Sequence, residues 1–165
     1  MINPIKFVFR NYCSLTIEIL TAMKNILVAI DFEEETQILV NKALEFAKIL
    51  GSKVWLLHIA AGSPDYVGYG TGPQYIRDSR ADVLRKEHQQ IQKFASELKE
   101  KNIEAEGLMV QGSVAESILK ETAKLNIDLV IIGHHKHSSL YKIFVDDVDS
   151  EIISNSKVPV LIIPL

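Results

Sequence analysis

The chain has 165 residues, 47% of them hydrophobic, with a formal net charge of −3, a pI near 6.0 and a mean hydropathy of +0.12. That length and composition fit one globular domain with a sizeable core, and the slightly acidic balance excludes the basic field that gathers nucleic acid. The single cysteine, Cys13, excludes an internal disulfide and suits a reducing cytosol.

Residues 1–22 carry Lys6, Arg10 and Glu18 among apolar positions, charges that interrupt any signal-peptide core or membrane span. Met23, followed by Lys-Asn-Ile-Leu-Val, looks like a natural start. Residues 1–22 therefore read as an N-terminal extension or a misassigned start without chemistry, and the domain is expected over residues 24–165. Residues 26–30 form a continuous apolar run ending at Asp31, which predicts a strand buried on both faces. Ile38, Leu39, Ala43, Phe46, Ala47 and Leu50 recur at helical spacing, so a helix is predicted over 36–50 with Gly51 as its stop. A second strand is predicted over 54–59, followed by a Gly-, Pro- and Tyr-rich segment over 60–74 that is too punctuated for regular structure. Val83, Leu84, Ile91, Phe94, Ala95 and Leu98 share roughly one face of a long charged helix predicted over 76–101. A strand over 105–110, a helix over 114–125 and a strand over 129–132 follow. After a polar loop come a helix over about 148–155 and a last strand over 160–163.

Five strands alternating with four helices predict a single doubly wound α/β domain. Its five-stranded parallel sheet is Rossmann-like, with right-handed crossovers and helices on both faces. Such sheets bind ligands beyond the carboxyl ends of the strands, where the winding reverses. If the chain winds outward through strands one to three and then returns, strand four lies beside strand one and Asp31 faces Gly133 across a crevice. Asp31, Gly112 and the segment after Gly133 are the expected crevice residues. Asp31 also has a plainer reading, as an acceptor for backbone N–H groups in the next turn. Gly112 and Gly133 have one too, as turn residues with positive φ.

Four segments carry a family resemblance: Asn-Ile-Leu-Val-Ala-Ile-Asp at 25–31, Gly-Ser-Val-Ala at 112–115 before a helix, Asp-Leu-Val-Ile-Ile-Gly at 128–133, and Val-Pro-Val-Leu-Ile-Ile-Pro at 158–164. In that order and with those element lengths they resemble the universal stress proteins over residues 24–165. The resemblance implies a small cytoplasmic α/β domain, like the adenine nucleotide alpha hydrolases in fold and usually a homodimer. One branch of the family binds ATP and another does not. For Asp31 the resemblance implies a place beside the adenine base.

One loop separates the branches. ATP-binding members carry Gly, two residues, Gly, nine residues, then Gly-Ser or Gly-Thr; the glycines let the backbone approach phosphate oxygens and the hydroxyl adds a donor. Here the first glycine is Gly133, the second position is Lys136 and the closing pair is Asp146-Asp147, with Asp149 just beyond. Two like charges about 4 Å apart repel by roughly 4 kcal/mol at an effective dielectric near 20 and by roughly 1 kcal/mol in water. Glu33, after strand one, adds a further negative charge, and Lys136 offsets part of the total while filling space that glycine leaves empty. ATP binding is therefore expected to be weak or absent, with no cofactor at Asp31, Gly112, Gly133, Lys136, Asp146 and Asp147.

His134, His135 and His137 precede the aspartates by about ten residues, and imidazole with carboxylate suits zinc or manganese. Loop neighbours point in different directions and no His-x-x-x-His is present, so no metal is expected and the aspartates read as helix caps. His58, ending strand two, reads as a core-edge or crevice-wall residue. There is no Gly-x-Ser-x-Gly elbow, complete Walker loop or Cys-x-x-Cys, and Ser113 has no assigned base, so no enzymatic activity is expected. Tyr66, Tyr69 and Tyr75 read as part of a surface loop.

The apolar segment 158–165 would expose an aggregation-prone edge unless covered. Pairing with its own copy about a two-fold axis buries it, and the family resemblance points the same way. The expected function is that of a non-enzymatic cytoplasmic stress-response homodimer acting through partner proteins, away from nucleic acid and membrane. The alternatives are an ATP- and metal-dependent nucleotide-binding sensor and a metal-assisted phosphohydrolase.

Overall fold

The computed structural model describes residues 23–60, 74–134 and 142–165. The segment read as an N-terminal extension, 1–22, lies outside the described residues. In chain order the elements are β1 (Asn25–Ile30), α1 (Thr36–Leu50), β2 (Lys53–Ala60), α2 (Gln74–Glu100), β3 (Ala105–Gln111), α3 (Val114–Lys124), β4 (Leu129–His134), α4 (Lys142–Asn155) and β5 (Val160–Pro164). The strands form one parallel sheet in the order β3-β2-β1-β4-β5. This is the doubly wound α/β fold expected from the alternation of strands and helices.

β1 lies at the centre because its run of Ile26, Leu27 and Val28 can be buried on both faces, and all three are fully buried. Successive side chains alternate between two cores. Ile26, Val28 and Ile30 join Leu39, Val40 and Ala43 of α1 and Ile91, Ala95 and Leu98 of α2. Leu27 faces the other way, with Ala115 and Ile118 of α3 and Ile152 of α4. α1 ends as its sequence directs: Gly51 takes φ 67, a left-handed conformation open to glycine, and its N–H bonds to the Ala47 carbonyl.

At the amino ends of the strands the sheet is tied by one carboxylate. Asp128 Oδ2 accepts the backbone N–H groups of Lys24 at 2.8 Å and Asn25 at 2.9 Å, joining the start of β1 to the entry of β4 across more than 100 residues of sequence. Hydrogen bonds to a charged acceptor contribute roughly 1.5–3 kcal/mol each. Asp128→Ala is therefore expected to destabilise the domain by about 2–3 kcal/mol in urea unfolding. A change within the error of the measurement would show that the two amides find other acceptors.

Two elements depart from expectation. β4 was expected to stop before Gly133, but it runs on through His134, because Gly133 pairs with Ile163 and His134 with Pro164. α4 was expected from about residue 148, and it starts at Lys142. Phe144, Val148 and Ile152 recur every fourth residue, so the helical apolar period begins before the aspartates rather than after them. Among the described residues no helix is long and apolar enough to cross a membrane.

Candidate functional site

The winding reverses between β1 and β4, which pair directly. The turn after β1 and the end of β4 therefore flank one crevice, and Asp31 and Gly133 are brought to it as expected. Gly112 is not. It follows β3, with β2 between it and β1, so roughly 10 Å of sheet separates it from β1 at about 4.8 Å per strand.

Asp31 is exposed, and its Oδ1 accepts the Glu33 backbone N–H at 3.2 Å and the Thr36 hydroxyl at 3.4 Å. The carboxylate thus organises the turn that opens α1, whose own N-cap, Glu35, makes no side-chain capping bond. That is the plainer of its two readings.

The two glycines differ in kind. Gly112 has φ 148, and a Cβ there would sit 3.2 Å from Ser117 Oγ, so its glycine serves a turn. Gly133 is not among the residues with positive φ, which corrects the turn reading. It lies inside a paired strand, where a Cβ would overlap Leu165 Cδ1 and stand 3.0 Å from Leu39 Cδ1. Gly133 makes room for two leucines, and its α1-side face is covered by them.

Asp146 and Asp147 are the fifth and sixth residues of α4, and the first turn of that helix holds no acid. The capping reading is corrected accordingly: the pair lies in the second turn, past the cap. Backbone N–H groups that deep in a helix already donate to carbonyls four residues back. Lys136, His135, His137, Tyr66 and Tyr69 lie outside the described residues. Tyr75 sits on the first turn of α2, 72% exposed.

The family model described as the universal stress protein family matches residues 23–164. The chain belongs to the universal stress protein family. Universal stress protein C of Salmonella typhimurium is 30% identical over 141 residues, 86% of this chain and 95% of the relative. A solved universal stress family structure from Burkholderia pseudomallei has a TM-score of 0.66 at 19% identity, covering 87% of this chain and 97% of its own. A universal stress protein in complex with cAMP has a TM-score of 0.62 at 17% identity, covering 87% and 98%.

Beside the crevice this universal stress protein carries a cluster that sequence reasoning found only in part. His58 is 7% exposed, a wall residue as expected, and its Nδ1 lies 2.9 Å from the Ile30 carbonyl. Its ring packs tilted by 35° against Phe32 at 4.1 Å between centroids, and Phe32 in turn stacks on Phe94 at 6.5 Å. Phe32 takes φ 66, a left-handed conformation that costs an aromatic residue about 1–2 kcal/mol and is held here by its ring contacts. Glu87 Oε2 of α2 stands 3.7 Å from His58 Nε2. The signal for Glu87 was present in the sequence: it falls between Leu84 and Ile91 on the apolar stripe of α2, where a carboxylate is out of place.

Among the described residues no group of three or more His, Cys, Asp or Glu side chains is arranged to hold a metal. A cavity of about 470 Å3 opens at the opposite end of the sheet, between the C-termini of α1 and α2, lined in part by Lys48, Lys53 and Lys101. Lys53 is bound there by Glu106 at 2.5 Å and Glu104 at 3.1 Å; the Glu106 carboxylate, first among the causes, holds its ammonium above the usual lysine range. With those acids and two negative helix ends offsetting the lysines, this cavity lacks the net positive field of a phosphate site.

Proposed function

We propose that this universal stress protein is a non-enzymatic cytoplasmic homodimer that binds ATP weakly or not at all at its β1–β4 crevice and acts through contacts with partner proteins. The observation that carries this reading is the position of Asp146 and Asp147 inside α4. An ATP-binding loop closes with a Gly-Ser or Gly-Thr whose backbone and hydroxyl face phosphate; here the same positions belong to helix whose amides are already bonded. A negative charge about 6 Å from a phosphate would oppose it by roughly 3 kcal/mol at an effective dielectric near 20, and by under 1 kcal/mol in water. Leu165 and Leu39, packed on Gly133, add to this by closing one side of the first glycine.

The dimer is supported by β5. It borders the sheet, among the described residues no strand pairs with its outer side, and Ile162 is 38% exposed on it. A second copy paired along residues 158–165 would cover that edge.

A second reading, a nucleotide-binding sensor of the same family, draws on the cAMP held by one solved neighbour. A nucleoside monophosphate would rely on the end of β1 and on Gly133 rather than on the loop's far end. Native mass spectrometry of the freshly purified protein separates the two. The mass of a bare dimer is expected; a copurified nucleotide, whether monophosphate or triphosphate, would favour the sensor and contradict the first reading.

A further inference from the structure

The least satisfied polar contact described in the molecule lies between His58 and Glu87. A carbonyl can only accept, so the His58 Nδ1 facing the Ile30 carbonyl carries the hydrogen, and in the neutral ring Nε2 is a bare acceptor. Nε2 is buried without a hydrogen-bond partner, and so is Glu87 Oε2, 3.7 Å away. Two acceptors facing each other in a shielded site leave both unsatisfied, at a penalty of about 1–3 kcal/mol per group. One proton on Nε2 turns this mismatch into a charge-assisted hydrogen bond between imidazolium and carboxylate.

We propose that His58 and Glu87 form a proton-operated latch that draws α2 against the carboxyl end of β2 and, through the ring of Phe32, sets the turn that carries Asp31. A proton from solvent adds to Nε2, and no bond breaks. Closing 3.7 Å to hydrogen-bond distance needs an approach of about 1 Å. The imidazolium also gains a cation–π contact with Phe32, whose left-handed backbone links Asp31 to Glu33. Among the described residues the groups around His58 are few. α2 presents Glu87, with Arg80 two turns earlier on the same stripe; β3 sets Met109 beside it in register; β1 presents the Ile30 carbonyl and Phe32, flanked by Asp31 and Glu33. A metal ion in place of the proton would have two protein ligands among the described residues, short of the three or four that hold zinc.

The test is NMR of the full chain across about pH 5–8, following the His58 ring and the backbone amides of Phe32, Glu33, Thr36 and Glu87. In the wild type the ring and all four amides are expected to shift with one common midpoint. In Glu87→Gln the side-chain amide donates to the neutral Nε2, so the latch stays closed and the pH-dependent shift of Phe32, Glu33 and Thr36 is lost. The proposal is overturned by a His58 ring that titrates while the Phe32 and Glu33 amides stay fixed, or by a ring that does not titrate in this range. It is equally overturned if one equivalent of zinc at constant pH reproduces the full set of shifts. Should the variant fail to fold, the common midpoint in the wild type decides alone. No nucleotide enters the readout, so failure here is separate from failure of the weak-ATP reading.

Discussion

Gly133→Val is expected to destabilise the domain by about 2–3 kcal/mol, the usual penalty for forcing extra carbon atoms into a packed site. For a domain of this size that lowers the thermal midpoint by roughly 5–10 °C. The reason is local: a Cβ at Gly133 would overlap Leu165 Cδ1 and press on Leu39 Cδ1 at 3.0 Å, and moving the partly buried Leu165 aside withdraws its apolar contact from the core formed by α1. Pairing the change with Leu165→Ala creates room at the point of overlap. The double variant is therefore expected to lose clearly less stability than the sum of the two single changes, since residues in contact couple by about 0.5–3 kcal/mol. Strict additivity would mean that Gly133 is there for some purpose other than admitting Leu165.

Ile162→Glu is expected to convert the proposed dimer to monomer at micromolar concentration in light scattering. Ile162 is 38% exposed at the middle of β5, on an edge that two copies would share, so the change would bring two carboxylates into one interface. Burying an unpaired carboxylate costs several kcal/mol. At about 1.4 kcal/mol per factor of ten, the dimer is expected to weaken by about a hundredfold or more. The fold should survive, since Ile162 is no part of either core. A dimer of undiminished strength would move the interface away from β5.

Much of the fold was legible because it depends on local pattern. The uninterrupted apolar run of β1 announced a central strand, the spacing of Leu39, Ala43 and Ala47 announced α1, and Gly51 announced its end. The return of the chain to set β4 beside β1 was expected from the doubly wound class rather than from any spacing, and it brought Asp31 and Gly133 together. What escaped was set by contacts distant in sequence. A glycine at the end of an apolar run reads as punctuation, and nothing nearby reveals that Leu165 and Leu39 will occupy the place of its missing side chain. Two neighbouring aspartates read as a helix cap, while the apolar period that starts α4 four residues earlier is short and easily overlooked. Gly112 was grouped with the crevice because it too follows a strand, but strand order puts β2 and β1 between it and β4. His58 was legible as a wall residue; its partner Glu87 lies on another element, and only folding brings the two acceptors face to face.

The aspartates matter most for function, because two chemically different obstacles coincide there. Their amides lie within α4, where helix bonding removes donors, and in the proposed reading two negative residues there oppose an incoming polyphosphate. In the proposed reading the two together are expected to weaken ATP binding by a factor of about ten or more, at about 1.4 kcal/mol per factor of ten.

Calorimetric titration of the purified protein with ATP, in the presence and absence of magnesium, tests this most directly. Heat no greater than that of dilution at micromolar protein, with or without the metal, is the predicted result. Saturable binding of magnesium–ATP at low micromolar affinity would contradict it, and would mean that phosphate finds donors which the helix around Asp146 and Asp147 was taken to withhold.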